Sequence, residues 1–195
     1  MSATKDRILQ TALNQFNKQG TYAVTTNHIA EACGISPGNL YYHFKNKEAI
    51  IYALFERMIN AWDAEPLDIS RLPPAQLIDQ QLEKTFHYVW AYRFIHRELS
   101  SLLDRDSELK KMTNKVLQRR LKEIEQLLLG FETIGILKPL ELEERQFVAR
   151  TALHYGLFWQ PFLEAVGERP TRENVLRGVE MIRLLLKPYL ITPLF

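Results

Sequence analysis

Apolar residues recur every three or four positions along most of this chain, which is the spacing of helices with one buried face. We predict long amphipathic helices over residues 4–19, 47–64, 75–103, 108–133, 142–166 and 171–190. Gly20 and Gly135 follow two of these stretches, as residues that end helices do. No segment alternates apolar and polar residues as a half-buried strand would, so the predicted fold class is all-α.

Two short helices joined by a tight turn are predicted between the first two long ones. Thr26 is the expected cap of the first, and Ala30 is small where the second helix crosses it. Gly34 stands where the first short helix must end, because the left-handed backbone needed there penalises a Cβ. Ser36 followed by Pro37 is a start signal, since the hydroxyl caps free N–H groups and proline needs none. This spacing predicts a helix-turn-helix whose second helix enters the major groove.

The surface of that second helix carries polar and aromatic side chains. With Leu40 and Phe44 turned inward, the outward positions are Pro37, Gly38, Asn39, Tyr41, Tyr42 and His43. Their hydroxyl and imidazole groups, with the ammonium of Lys47, suit phosphate oxygens, so we predict that this segment binds double-stranded DNA. The alternative interpretation is that residues 41–44 form an aromatic cluster that holds a small helical bundle together.

Four short motifs carry a family resemblance: Ile29-Ala30-Glu31, Gly34-Ile35-Ser36, Leu40-Tyr41-Tyr42-His43-Phe44 and Lys45-Asn46-Lys47-Glu48-Ala49. Over residues 4–55 they resemble the N-terminal domain of the TetR (tetracycline repressor) family of transcriptional regulators. The resemblance implies phosphate contacts from Thr25 or Thr26 and from Tyr41, His43 and Lys47. It also implies that Pro37, Gly38, Asn39 and Tyr42 face the bases, although Gly38 has no side chain with which to read them.

The domain organisation follows from the same pattern. We predict a helix-turn-helix domain over residues 1–46 and a helical regulatory domain, for ligand binding and dimerisation, over residues 47–195. The helix predicted over residues 47–64 begins beside the recognition helix and ends away from it, so it can act as a lever. Pro66 and the pair Pro73-Pro74 bracket the loop that follows.

The last two predicted helices are too apolar for a single buried stripe, and a helix that is apolar on two sides needs a second partner. In the resembled family this pair of helices meets its copy, so we expect a homodimer. The predicted interface residues are Tyr155, Phe158, Phe162, Val179 and Ile182. Pro161 lies inside the pattern and should kink its helix or place a boundary near Gln160.

An aromatic stretch between residues 86 and 94 is either core or the wall of a cavity. The resemblance favours a cavity for a small apolar or aromatic effector of unknown identity. The candidate ligand-binding residues are Trp62, Phe86, Trp90, Arg93, Phe94 and Arg97. Arg93, Arg97 or His96 could bind an acidic group of a ligand, and an ordinary polar contact of His96 is the alternative.

Composition adds little beyond this. The net charge of the 195 residues is +2, and residues 1–60, with six Lys/Arg and four Asp/Glu, account for that excess. Such a small surplus of cations favours a dimer that doubles them on DNA. The single cysteine, Cys33, fits a reducing cytoplasm, and we expect no leader and no membrane-spanning segment.

Signatures of catalysis are missing from the sequence. It holds no Gly-rich phosphate loop, HExxH or GxSxG motif, and its five histidines never stand four residues apart. We therefore predict no enzyme, metal or cofactor, but a repressor released from a palindromic operator by a small, largely apolar ligand. Two alternatives stay open: a helical enzyme or cofactor-binding protein with an incidental helix-turn-helix, and a DNA-binding activator that responds to a protein partner.

Overall fold

A computed structural model describes residues 3–64 and 74–191, except for the side chains of residues 74 and 75. The fold in these ranges is all-helical, as predicted, and the single β feature within them is an isolated bridge between Leu137 and Leu190. None of the helices there is both long enough and apolar enough to cross a bilayer. The helices are α1 (Ala3–Gln19), α2 (Thr26–Ala32), α3 (Pro37–His43), α4 (Lys47–Asp63), α5 (Pro74–Ala91), α6 (Arg93–Arg105), α7 (Ser107–Thr133), α8 (Leu142–Ala165), α9 (Arg172–Leu176) and α10 (Gly178–Leu186).

Two predicted helices are each divided in the structure. The stretch predicted over residues 75–103 breaks at Tyr92, whose backbone leaves the helical region at φ −113° and ψ 34°. The stretch predicted over residues 171–190 becomes α9, α10 and a short 3-10 turn, Lys187–Tyr189. Pro188 accounts for the last change, because proline lacks the N–H that would continue the helical hydrogen bonds.

The helix that contains Pro161 is continuous. The structure keeps this residue inside α8, so the predicted boundary near Gln160 is wrong as a helix end. The proline-bracketed loop cannot be compared in the same way, because Pro66 and Pro73 lie outside the described residues and Pro74 is already the first residue of α5.

The chain divides into two compact units. The head unit comprises Met1–Glu65 and Tyr92–Leu109, and therefore contains α1 to α4 together with α6. The body unit comprises Pro66–Ala91 and Lys110–Phe195. The predicted domain boundary after residue 46 falls within the head unit, between α3 and α4, and stays a prediction.

Each unit has its own apolar core. In the head unit, the stripes predicted on α1 and α4 are buried, and Phe94 of α6 packs its ring 5.2 Å from that of Phe16. In the body unit, α5, α8, α9 and α10 enclose the second core, where Phe86 lies against Gly178. A paired hydrogen bond between Arg145 of α8 and Glu132 of α7 adds a half-buried ion pair to this unit.

Candidate DNA-binding interface

The turn between α2 and α3 has the geometry that the sequence predicts. Gly34 has a φ of +65°, which places it in the left-handed region. Its N–H donates to the carbonyl of Glu31 at 2.9 Å, and the N–H of Ile35 donates to that of Ala30 at 3.1 Å. This pair of bonds is the Schellman arrangement, which satisfies the last carbonyls of a helix and reverses the chain. Ala30 is fully buried at the crossing of the two helices.

Helix α3 begins and packs as expected. The hydroxyl of Ser36 accepts from the backbone N–H of Asn39 at 3.2 Å, and Pro37 occupies the first helical position. Leu40 is completely buried and Phe44 nearly so, and they fix the inner face of the helix. The orientation of α3 is therefore set by its cap and by two apolar side chains, which leaves the opposite face open.

That open face carries the residues predicted to meet bases and phosphates. Tyr42 is 85% exposed and Tyr41 50% exposed, which are high values for aromatic side chains. The Tyr41 hydroxyl lies 3.0 Å from the Thr26 hydroxyl, so α2 and α3 present a joined pair of hydroxyl groups. The other exposed members of the predicted set on this helix are Pro37, Gly38 and Asn39, with His43 half-buried.

The cap of α2 differs from the prediction by one residue. Thr25, rather than Thr26, accepts from the backbone N–H of His28 at 3.2 Å. His28 returns the contact, since its Nδ1 accepts from the Thr25 N–H at 3.3 Å. A histidine in that reciprocal position is not one of the usual capping-box residues, so the sequence offered no signal for it. The Thr25 hydroxyl consequently serves the helix, while the Thr26 hydroxyl faces Tyr41.

Lys47 has a role inside the head unit that the sequence did not indicate. Its Nζ donates to the carbonyl of Thr21 at 2.6 Å and to that of Val24 at 3.1 Å, so the ammonium is fixed against the α1–α2 connector. An ammonium has three donors, so these two bonds leave one for a phosphate oxygen. The predicted phosphate contact stays a prediction, now with a defined position.

The six candidate ligand-binding residues are divided between the two units. Trp62, Arg93, Phe94 and Arg97 belong to the head unit, and Phe86 and Trp90 belong to the body unit. Phe94 is completely buried in the head core. The Arg97 guanidinium donates to the carbonyl of Phe16 at 3.0 Å. Burial lowers the pKa of Arg93, and the nearby charge of Arg97 lowers it further. Phe94 and Arg97 thus have structural partners within the head unit.

The body unit contains a groove of about 610 Å³ between α5 and the pair α9 and α10. Phe86 and Trp90 are the two candidate residues that line it. The remaining lining residues are Gln80, Glu83, Lys84, His87, Arg172, Leu176, Val179, Glu180 and Arg183. Among them, Arg183 pairs with Asp79 through two of its nitrogens, at 3.0 Å and 2.6 Å, and also with Glu180. No group of three or more His, Cys, Asp or Glu residues in the described chain could hold a metal ion.

The predicted dimer residues are not all on the surface. Phe158 and Phe162 of α8 are 37% and 53% exposed, whereas Val179 and Ile182 of α10 are only 6% and 4% exposed. The last two pack in the body unit's own core, so a contact of these residues with a second copy stays a prediction that burial within one chain does not favour. The sequence could not separate the two cases, because both sets of residues lie on apolar helical stripes. Tyr155 is half-buried, with its ring 6.0 Å from that of Trp159.

Two family models match almost the whole chain. Residues 8–54 match the model described as bacterial regulatory proteins, tetR family, and residues 54–193 match the TetR model described as bacterial transcriptional repressor. The chain belongs to the TetR family. It is therefore a DNA-binding transcriptional regulator of the TetR type and not an enzyme, which excludes the helical-enzyme alternative.

Individual relatives agree with this assignment. A TetR-family regulator of Marinobacter aquaeolei VT8, known as a crystal structure, is 33% identical with a TM-score of 0.86, over 99% of this chain and 93% of that one. The regulator RutR of Escherichia coli K12 is 29% identical over 181 residues, which are 90% of this chain and 84% of RutR. An uncharacterised regulator, YerO of Bacillus subtilis 168, is 36% identical over 90 residues, which cover 44% of this chain but only 31% of YerO.

The TetR fold also occurs in a solved complex of SmeT with triclosan. That chain is 21% identical to this one, with a TM-score of 0.65, and the alignment covers 100% of this chain and 95% of SmeT. At this level of identity the similarity concerns the fold alone.

Proposed function

We propose that this TetR regulator is a cytoplasmic homodimeric repressor that binds a palindromic operator and leaves it when a small ligand binds. The observation that supports DNA binding is the outer face of α3, where Tyr41 and Tyr42 are exposed while Leu40 is completely buried. The family model matching residues 54–193 is that of a bacterial transcriptional repressor, which favours repression over activation.

Phosphate binding by Lys47 can be tested by the salt dependence of DNA affinity. Lys47→Ala should weaken binding to all sequences and reduce the slope of log affinity against log salt by about 0.9 per subunit, or about two units for the dimer, because each subunit loses one phosphate contact. Lys110→Ala removes an exposed cation of the body unit and is the matched control, expected to leave the slope unchanged. An unchanged slope in Lys47→Ala would remove Lys47 from the DNA contacts.

Recognition of the operator sequence is a separate property of α3. Asn39 is exposed near the start of this helix, where side chains of a recognition helix usually meet base edges. Asn39→Ala should change the order of preference among operator variants more than it changes affinity for random DNA. Equal losses on every sequence would assign Asn39 to the backbone instead.

Dimerisation is supported by apolar side chains left on the surface of the body unit. Phe158 and Phe162 of α8 and Val166, the C-cap that follows it, stand four residues apart, and the last two are more than half exposed. Leu184 of α10 is 61% exposed. A row of exposed apolar residues on a helix is typical of a protein interface. Two copies related by a two-fold axis would also present two recognition helices to a palindrome.

The ligand site that we propose is the groove of the body unit. Phe86, Val179 and Leu176 give it an apolar floor, and Trp90 adds an aromatic wall. Arg172 at its edge is exposed, whereas Arg183 is already paired with carboxylates. The groove therefore suits a small molecule with an aromatic or aliphatic part and an anionic group. The complex of SmeT with triclosan supports a small aromatic ligand for this fold.

A fluorescent aromatic sulfonate, 8-anilino-1-naphthalenesulfonate, is a suitable probe of this groove. It should bind the wild-type protein and weaken operator binding, and Trp90→Ala should reduce its affinity. Arg172→Gln should also weaken the probe, while Arg169→Gln, which alters an exposed arginine outside the groove, should not. Equal binding by Trp90→Ala, Arg172→Gln and wild type would place the site elsewhere.

A further inference from the structure

The end of α1 and the start of α6 complete each other's hydrogen bonds. The first N–H groups of a helix and its last carbonyls have no partner within the helix. Tyr92 gives α6 no side-chain cap, and the N–H of Phe94 donates instead to Oδ1 of Asn17, at 3.1 Å and buried. In the other direction, Arg97 of α6 donates to the carbonyl of Phe16 near the end of α1. Helix α6 is thereby fastened to α1 at two polar points.

A third point lies on the connector that follows α1. The Glu98 carboxylate accepts the N–H of Thr21 at 3.1 Å on both oxygens, and its Oε2 accepts the Thr21 hydroxyl at 2.5 Å. Arg97 donates to the other oxygen, Oε1, at 3.2 Å. Thr21 is only 3% exposed and the Glu98 side chain 20% exposed, so these bonds are partly shielded from water. Charge-assisted hydrogen bonds in such places are among the stronger ones in proteins.

The same threonine is bound from its other side by Lys47. Its N–H and hydroxyl donate to Glu98, while its carbonyl accepts from the Lys47 ammonium at 2.6 Å. One buried residue therefore lies between a carboxylate of α6 and an ammonium of α4. If Glu98 releases Thr21, the carbonyl that fixes the ammonium is no longer fixed itself.

We propose that Glu98 is a positioning residue for DNA binding: through Thr21 it sets the place of the Lys47 ammonium. The inference rests on the proposed phosphate contact of Lys47 and adds that α6 determines its geometry. Glutamine in place of Glu98 keeps the size but has one acceptor oxygen, so it cannot accept the Thr21 bonds on one oxygen and Arg97 on the other.

The sign of the effect separates positioning from simple electrostatics. Loss of a negative charge by a DNA-binding protein strengthens DNA binding when charge alone acts. Positioning requires the opposite result for Glu98→Gln: affinity weaker by about fivefold or more and a salt slope smaller by about 0.9 per subunit of the dimer. Asp104→Asn is the matched control, because it removes the same charge from an exposed position of the same helix. It should bind DNA as well as wild type or better.

Thr21→Val and Lys47→Ala complete the test. Thr21→Val leaves the net charge unchanged and removes one bond to Glu98, so it should also weaken binding, and Thr21→Ser should restore it. In the Lys47→Ala background, Glu98→Gln should reduce the salt slope no further. If Glu98 served stability alone, Glu98→Gln would leave the salt slope unchanged in the wild-type background as well. Thermal melts of each variant identify any that do not fold, and Thr21→Val then decides in place of Glu98→Gln.

The outcomes distinguish a failure of the positioning role of Glu98 from a failure of the proposed phosphate contact of Lys47. If Lys47→Ala lowers the slope but Glu98→Gln and Thr21→Val bind like Asp104→Asn, the positioning role is wrong and the phosphate contact stands. If Glu98→Gln lowers the slope equally with and without Lys47, Glu98 acts by another route and the inference fails. If Lys47→Ala itself leaves the slope unchanged, the proposed function of Lys47 fails first.

Discussion

Gly34 and Gly38 differ in backbone conformation while both have room for a methyl group. A Cβ at Gly34 would meet no atom within 4 Å, and one at Gly38 would come no closer than 4.0 Å to the Ser36 hydroxyl. Gly34 has a φ of +65°, whereas Gly38 is an ordinary helical residue. A substitution to alanine at these two positions thus tests the backbone alone.

Gly38→Ala should raise the free energy of unfolding by about 0.5–1 kcal/mol, because alanine loses less entropy than glycine in a helix. Gly34→Ala should lower it by about 1 kcal/mol or more, because the left-handed backbone is strained for any residue with a Cβ. Urea denaturation of both variants measures the two signs. A destabilised Gly38→Ala would contradict this, since the added methyl group has room and alanine is the better helix former.

At the scale of single residues, the sequence predicts the structure best where a residue determines its own backbone conformation. Gly34 and the Ser36-Pro37 pair do so, and the structure has them as expected. Lys47 does not, because its bonds to Thr21 and Val24 depend on a connector whose course no local pattern specifies. Glu98 is more remote still, since it lies 77 residues from Thr21 in the chain.

Between elements, α10 approaches α5 closely at Gly178 in the body unit. A Cβ on Gly178 would lie 2.2 Å from the Phe86 ring and 2.9 Å from the Trp159 ring. On α8, a Cβ on Gly156 would meet its nearest atom, in Thr85, at an ordinary 3.8 Å. Both glycines are helical, so only the space around them differs.

Gly178→Ala should destabilise the protein by about 1–3 kcal/mol, because the methyl group forces Phe86 or α10 to move in a well-packed core. Gly156→Ala should be neutral or stabilising by about 0.5–1 kcal/mol, since helix propensity improves and no atom is displaced. Thermal and urea unfolding of the pair checks this. Similar stability of the two variants would mean that the contact of Phe86 with Gly178 is easily relaxed.

The ion pair between α7 and α8 gives the body unit a pH dependence. Arg145 donates to both oxygens of Glu132, at 2.9 Å and 3.1 Å, and the Glu132 side chain is 10% exposed. The hydrogen bonds from Arg145 lower the pKa of Glu132 below its ordinary value of 4.5. Stability from a lowered carboxyl pKa is present above the ordinary value and is lost as the pH falls through the lowered one.

Glu132→Gln should therefore cost about 1–3 kcal/mol at pH 7, and its difference from wild type should shrink as the pH falls below 4.5. Glu123→Gln is the control on the same helix, because Glu123 also pairs with an arginine but is 43% exposed. It should cost less than about 1 kcal/mol. Urea denaturation at a series of pH values gives both results, and a difference for Glu132→Gln that stays constant with pH would contradict the assignment.

The helices themselves were predictable from apolar spacing and caps, and their interruptions were not. Tyr92 breaks the helix predicted over residues 75–103 with neither proline nor glycine at the break. It is also the residue where the chain passes from the body unit to the head unit, so its backbone follows tertiary packing rather than local preference.

In the whole molecule, the chain passes between the two units three times: after Glu65, after Ala91 and after Leu109. Sequence patterns place a boundary at one point along a chain, so α6 was predicted to belong to the regulatory domain. In the structure its polar contacts are with α1 of the head unit, and the predicted division into domains stays a prediction. The candidate ligand-binding residues accordingly belong to both units, and their common site stays a prediction.

Dimerisation is a prediction about the whole molecule, and the exposure of side chains within one chain indicates which residues can test it. Phe162 of α8 is 53% exposed and Leu129 of α7 is 48% exposed, so either can become glutamate without burying a charge in its own unit. Phe162→Glu should give a folded monomer that binds a palindromic operator far more weakly, because the charge would be buried between two copies. Leu129→Glu should remain a dimer.

Ile182→Glu tests whether α10 takes part in the predicted interface. Ile182 is 4% exposed, so a charge there should unfold the body unit instead of separating two intact chains. Sedimentation with circular dichroism distinguishes the three variants, since it reports mass and helicity together. A dimeric Phe162→Glu would place the interface on another face, and a folded, monomeric Ile182→Glu would return α10 to it. Because a palindrome needs two recognition helices at a fixed spacing, loss of the dimer and loss of operator binding should occur in the same variant.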